Sequence, residues 1–226
     1  LIEKISNYKH PHFGLGMNPE FLREGSAVSD FKYPDRIVFG VEDDITLEAL
    51  KKLYKPYDCK KLIVNTRTAE FIKYVNNSLL ALQISFSNEM ANLASNIKNI
   101  DYENVLKGVI SDHRWNSPEM SSTPNPEIVK YLQPGCGFGG SCFPKDVQAI
   151  VKLGNEKGFE MKLLKSILEV NKEQPKQIIR LIKDEIYSLK DKFSTLVLGL
   201  SFKPNTNDIR YSPAKNIIED LLKNDI

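Results

Sequence analysis

Apolar and polar positions change rhythm along the chain. Between residues 13 and 66 the apolar ones come in short bursts: FGLGM, stopped by Asn18-Pro19, then Ile37 to Phe39, closed by Gly40, then Leu62 to Val64. Such bursts between turn-forming residues predict short strands. PEFLREGSAVSDF reads as a loop with one helical turn. DDITLEALKKLYKPY predicts a helix with Thr46 as its cap and Leu47, Leu50, Leu53 and Tyr54 on one face. From Thr68 to Ile97 the apolar residues Ile72, Val75, Leu79, Leu82, Phe86, Met90, Leu93 and Ile97 fall at steps of three and four. No proline or glycine interrupts this run, which predicts one long amphipathic helix. A helix of that length is a spine between units, a dimer surface or a core helix of one bundle, and periodicity alone does not choose.

Beyond it, DYENVLKGVISD predicts a short helix capped by Asp101, and RWNSPEMSSTPNPEI a surface loop. Pro144 is placed to open the helix KDVQAIVKLGNEKG. A further helix starts near Met161, is interrupted or restarts at Pro175, and resumes with Ile178, Ile179, Ile182 and Ile186. FSTLVLGLSF predicts a buried strand from Leu196 to Leu200, and Ser212-Pro213 the cap and first position of a terminal helix, AKNIIEDLLKN. One strand and one helix cannot cover a sheet, and the first sixty residues pose the same difficulty. The pattern therefore predicts a helical middle with an incomplete α/β unit on each side.

Composition narrows the function classes. Of 226 residues 41% are hydrophobic and 27% charged, with a formal net charge of +2, which offers no basic stripe for nucleic acid. No apolar run is long enough for a bilayer, and LIEKISNYKH does not resemble a signal peptide. Three cysteines, Cys59, Cys136 and Cys142, fit a reducing compartment, the cytoplasm, better than a disulfide scaffold. With His10 and His12 far from His113, a zinc site is not expected.

Candidate chemistry concentrates in PGCGFGGSCFPKD, residues 134 to 146. Gly137, Gly139 and Gly140 permit positive φ and let a ligand lie against backbone amides. Cys142 precedes the helix that Pro144 opens, where orphan amides favour a thiolate, and Lys145 adds positive charge. Asp146, four residues on, faces the same side if the helix starts there, and could orient a water or accept a proton. This pattern suits thiolate attack on a carbonyl followed by hydrolysis; the alternative is a small buried cysteine beside a turn. Glu20 and Glu24 share a face only if their segment is helical. Lys73 and Asn77, one helical turn apart, could stabilise an oxyanion or form a solvated helix face.

Four motifs in order, NPEFLREGSAVSDFKYPDRIVFG, TAEFIKYVNNSLLALQISFSNEMANL, GCGFGGSCFPKD and GLSFKPNTNDIRYSPA, closely resemble the nucleotide-sugar 6-dehydrogenases. These act on UDP-glucose, GDP-mannose and UDP-N-acetyl-amino sugars. The resemblance implies an NAD-dependent, four-electron oxidation of the sugar C6 alcohol to a carboxylate. In it Cys142 forms a thiohemiacetal and then a thioester, and Lys73 and Asn77 hold oxyanions. Asp146 handles water or a proton, and Glu20 and Glu24 lie near the sugar and the hydrolytic water. It implies substrate contacts from Phe21, Leu22, Tyr131, Leu132, Phe138, Gly139, Gly140 and Lys203, and cofactor contacts from Lys145 and Arg210. UDP-glucose or a UDP-N-acetylhexosamine is the implied substrate, and a homodimer through the long helix the implied assembly.

The fold class implied is α/β with a mainly helical central domain. Residues 1–66 are expected to be the end of an N-terminal Rossmann domain, 67–190 the central dimerisation domain, and 191–226 the start of a C-terminal Rossmann-like domain. With no G-x-G-x-x-G fingerprint near the start, most of the NAD-binding domain is expected to be lacking. The competing readings are a truncated, non-catalytic dimerisation or nucleotide-sugar-binding piece and a thiol hydrolase.

Overall fold

The structure, a computed structural model, describes residues 4–5, 13–115, 127–187 and 194–224. The chain forms two units, Leu1–Asn76 and Asn77–Ile226. In the first, β1 (Gly16–Met17), α1 (Ala27–Lys32), β2 (Arg36–Val41), α2 (Asp44–Leu53) and β3 (Lys60–Val64) precede the opening turns of α3 (Thr66–Ser95). The sheet order is β1-β2-β3. β1 runs antiparallel to β2, with Gly16 opposite Val41. β2 and β3 are parallel, with Arg36 opposite Lys60 and Gly40 opposite Val64.

The uninterrupted apolar run Ile37–Val38–Phe39 marks β2 as the central strand, since a strand covered on both faces has no polar side to show. A methyl on Gly40 would stand 2.5 Å from the Ala69 Cβ, so this glycine lets α3 lie close against β2. The cap of α2 is Asp43 rather than Thr46. Its carboxylate accepts from the Thr46 amide at 2.7 Å and from the Thr46 hydroxyl at 2.8 Å, which puts Thr46 inside the first turn.

The expectation that this region holds only the end of a Rossmann domain is corrected. Residues 16–64 build a β-α-β-α-β element with a parallel β2-α2-β3 crossover. The glycine fingerprint marks one phosphate-binding turn, and its absence carries no information about the sheet.

The second unit holds the rest of α3, then α4 (Tyr102–Ile110), a 3-10 helix (Glu127–Leu132), α5 (Phe143–Glu156), α6 (Lys162–Tyr187) and α7 (Pro213–Lys223). Asp101 caps α4 as expected, accepting from the Glu103 and Asn104 amides. Most of the expected surface loop, residues 116–126, lies outside the described residues, as do His10 and His12. Pro175 neither breaks nor restarts α6, which runs through it.

Ala81, Phe138, Val147 and Ile167 form one core cluster, and Ile179, Ile217 and Leu221 a second. Residues 196–200 are not a strand. Leu196 and Leu198 are 81% and 86% exposed, while Val197 packs on the second cluster. An apolar run becomes a strand only where a neighbour completes the ladder, and no described segment pairs with this one.

In the second unit α3 turns its polar stripe inward. Asn77, Ser78, Ser85 and Asn88 are buried, while Leu79, Phe86 and Leu93 are 51%, 52% and 55% exposed. Among the described residues no helix is long and apolar enough to cross a membrane.

Candidate active site

In the second unit Cys142 is exposed and stands as the N-cap of α5. Pro144 in the first turn costs no hydrogen bond there and sets the helical φ. The Asp146 amide donates to the Cys142 carbonyl at 2.9 Å, so the two residues lie one turn apart on one helix face. The Asp146 side chain turns inward and is only 2% exposed. Its carboxylate accepts from Asn77 Nδ2 at 2.6 Å and pairs with Lys145 Nζ at 2.7 Å. A polar group this deep needs hydrogen-bonding partners, and an ammonium and a buried amide supply them. The Ser141 hydroxyl lies 3.7 Å from Cys142 Sγ. Cys136 is at the surface too, yet the protein around it pushes its thiol above the ordinary range.

The glycines before Cys142 are occupied by the protein itself. A methyl on Gly139 would overlap the Tyr211 carbonyl oxygen, and one on Gly140 would stand 2.7 Å from the Phe202 ring. Gly140 adopts φ +74° and donates its amide to the Arg210 carbonyl at 2.8 Å. The segment 202–212 therefore seats on this loop, with Lys203 stacked over Phe202 at 5.7 Å. Asp208 holds the Arg210 guanidinium at 2.7 Å. Phe138 and Leu132 are core residues, and Tyr131 rests near Phe143 with ring centres 6.3 Å apart.

A cavity of about 280 Å³ opens beside α5, lined by Pro144, Lys145, Gln148, Ala149, Lys152 and Tyr211. Two ammonium groups and an amide line it on successive turns of α5.

In the first unit Lys73 Nζ pairs with Glu20 Oε1 at 3.2 Å, and Leu22 donates its amide to Glu20 Oε2 at 2.7 Å. Phe21 lies beneath the Arg36 guanidinium at 4.0 Å and near the Lys73 ammonium at 5.6 Å. Glu20 and Glu24 do not share a helix face, because residues 18–23 form no regular element and Glu24 sits in a turn before α1. Arg23 clamps Asp30 across that turn, at 2.7 and 2.8 Å, and lowers the Asp30 carboxyl to about 2.

Sequence reasoning passed over Asn88, Asn171 and Gln174, which grip the backbone ahead of Cys142. The available signal was a polar stripe of Asn77, Asn88 and Asn92 on α3, spaced like a buried face and lying opposite the apolar seam.

Three family models match in order along the chain. They are the NAD binding domain (residues 1–58), the central domain (67–173) and the UDP binding domain (196–226) of the UDP-glucose/GDP-mannose dehydrogenase family. The chain belongs to the UDP-glucose/GDP-mannose dehydrogenase family. The match over residues 1–58 overturns the expectation that most of the family's NAD-binding domain is lacking, and supports NAD as cofactor.

Among curated relatives, UDP-glucose 6-dehydrogenase of Rickettsia felis is 41% identical over 221 residues, covering 95% of this chain and 46% of that protein. UDP-glucose 6-dehydrogenase TuaD of Bacillus subtilis is 36% identical over 218 residues, covering 96% and 44%. The chain spans about half the length of the curated relatives it matches. Among solved structures, a UDP-glucose dehydrogenase from Pyrobaculum islandicum superposes with a TM-score of 0.79 at 39% identity, over 93% of this chain and 46% of that one. A UDP-D-ManNAc dehydrogenase from Pyrococcus horikoshii, at 23% identity and TM-score 0.80 over 98% and 50%, shares the fold.

Proposed function

We propose that the protein carrying this chain oxidises the C6 hydroxyl of UDP-glucose to the carboxylate through a thiol adduct on Cys142, with NAD as the oxidant. The observation that carries this reading is Cys142, exposed at the start of α5, with Asp146 one turn on and held by Asn77 and Lys145. The UDP-glucose 6-dehydrogenase names of relatives at 36–41% identity support the choice of sugar. NAD, when bound, accepts a hydride from C6 twice.

Between those two oxidations the Cys142 sulfur bonds to the aldehyde carbon, and the carbonyl oxygen takes up negative charge or a proton as a thiohemiacetal. After the second, the carbon is a thioester. Water then adds, the carbon–sulfur bond breaks, and the carboxylate leaves with the thiol restored. Asn77, oriented by Asp146, and Lys73, paired with Glu20, are assigned to stabilise the oxyanions. Glu20 and Glu24 are assigned to the hydrolytic water, with Phe21 and Leu22 beside the hexose. Lys145 and Lys152 would hold a diphosphate of the cofactor. Tyr131, Leu132, Phe138, Gly139, Gly140 and Lys203 are assigned to the nucleotide sugar through backbone and packing. Arg210 keeps its cofactor assignment, and residues 67–190 and 191–226 are assigned to the central and UDP-binding domains.

The test is stoichiometry. Two NADH formed for each UDP-glucose consumed, with UDP-glucuronate as product, is the expected result; one NADH with free aldehyde overturns it. The unpaired Cys59, Cys136 and Cys142 suit the reducing cytoplasm, to which the reading assigns the protein.

The same reading makes the protein a homodimer through α3. Leu79, Phe86 and Leu93, seven residues apart, form an exposed apolar seam of the kind that a second copy covers. Light scattering should give the mass of two chains, and Phe86→Glu should halve it. A monomeric unsubstituted protein would remove this assignment.

A further inference from the structure

The segment leading to Cys142 has no regular hydrogen bonds of its own after the 3-10 helix ends at Leu132. Side chains from two helices supply them instead. From α3, the Ser87 hydroxyl donates to the Leu132 carbonyl, and Asn88 Oδ1 accepts from the Gly135 amide at 2.7 Å. From α6, Gln174 Nε2 donates to the Gly135 carbonyl at 2.8 Å. Asn92 Nδ2 fixes the other end of the Gln174 amide at 2.8 Å. Asn171 then takes both backbone groups of Phe138. Its Oδ1 accepts from the Phe138 amide at 2.7 Å, and its Nδ2 donates to the Phe138 carbonyl at 3.0 Å.

Two further features single out Asn171. Gly137, with φ +106°, presses against it so closely that a methyl there would stand 2.7 Å from Asn171 Oδ1. Pro175, four residues on, has no N–H to give the Asn171 carbonyl, so the α6 ladder is open where it meets the loop. A side-chain amide copying a strand's paired hydrogen bonds holds one residue in one orientation. Phe138 is four residues before Cys142, and its ring is locked into the core.

We propose that Asn171 is a positioning residue, which through its two hydrogen bonds to the Phe138 backbone sets where the Cys142 thiol stands. Gln174 and Asn88 fix the preceding turn at Gly135, so that α3 and α6 together template the loop. The consequence for turnover rests on the thiol-adduct reading above. The consequence for the thiol itself does not.

Asn171→Asp is the decisive variant, since it keeps the size and the acceptor for the Phe138 amide while setting a second acceptor against the Phe138 carbonyl. Asn171→Ala removes both bonds. Iodoacetamide alkylation of the 226-residue chain is followed by mass spectrometry at Cys142, with Cys59 in the first unit as reference. About a fivefold or larger change in the Cys142 rate with Cys59 unchanged is expected in both variants. In the protein carrying this chain, kcat should fall about 10- to 100-fold with KM for the nucleotide sugar within about twofold.

Unchanged Cys142 labelling in a variant that melts cooperatively overturns the proposal, and so does a parallel change at Cys59, which would mean general loosening. Should Asn171→Ala fail to fold, Asn171→Asp decides alone. If the protein makes no NADH from UDP-glucose, the functional reading falls while the labelling comparison still judges the positioning role.

Discussion

Cys142→Ser in the protein that carries this chain is expected to lower uronate formation about a thousandfold or more, while the first hydride transfer persists. Forming the aldehyde needs no covalent bond to the enzyme. The second oxidation does, because an aldehyde carbon gives up hydride readily only after a nucleophile has added to it. A thiolate does this without help near neutral pH. A hydroxyl needs a base, and among the described residues the only histidine is His113, in an exposed turn far along the chain from Cys142. At most one NADH per sugar should form, and trapping with hydroxylamine should recover an aldehyde. A full two NADH per sugar at the ordinary rate would remove Cys142 from the mechanism. Of the other thiols, that of Cys136 is pushed up by burial, away from the thiolate form that attacks a carbonyl.

Gly139→Ala should have the largest effect on stability, about 1–3 kcal/mol, through the seating of the segment 202–212. The added methyl would overlap the Tyr211 carbonyl oxygen and stand 2.9 Å from the Phe202 Cβ. The first obstacle is backbone, which cannot swing aside as a side chain can. Relief requires Tyr211 to withdraw, and the bond from the Gly140 amide to the Arg210 carbonyl goes with it. Urea unfolding should show the loss, and limited proteolysis should cut between residues 202 and 212. Gly108→Ala is the control. It lies inside α4 with nothing within 4 Å, so the same methyl should be neutral or stabilise by about 0.5–1 kcal/mol. Equal stability of the two variants, with the segment uncut, would contradict the seating.

The helices were legible wherever a cap and a period agreed. Asp101 opens α4, Pro144 opens α5, and Pro213 opens α7 behind Ser212, each as the local pattern predicts. Elements that depend on a partner were not. Leu196 to Leu200 has the unbroken apolar run of a buried strand, with no described segment to pair with. The first unit was judged by a missing glycine motif, although its sheet is built from β1, β2 and β3. Thr46 was mistaken for a cap because Asp43 and Thr46 both suit the position, and only the direction of their hydrogen bonds separates them.

For the candidate site, residue types and spacing along one helix already tied Cys142 to Asp146 and Lys73 to Asn77. Local sequence could do this because a helix repeats every 3.6 residues and brings positions four apart onto one face. The three-dimensional arrangement settled what each group touches. It turned Asp146 inward to Asn77 and Lys145, and set Glu20 on Lys73. It also filled the space beside Gly139 and Gly140 with Tyr211 and Phe202. Apart from the pairing of Asp146 with its neighbour Lys145, those contacts join residues dozens of positions apart. Their energies depend on burial and on the exact path of the backbone, neither of which a linear pattern contains.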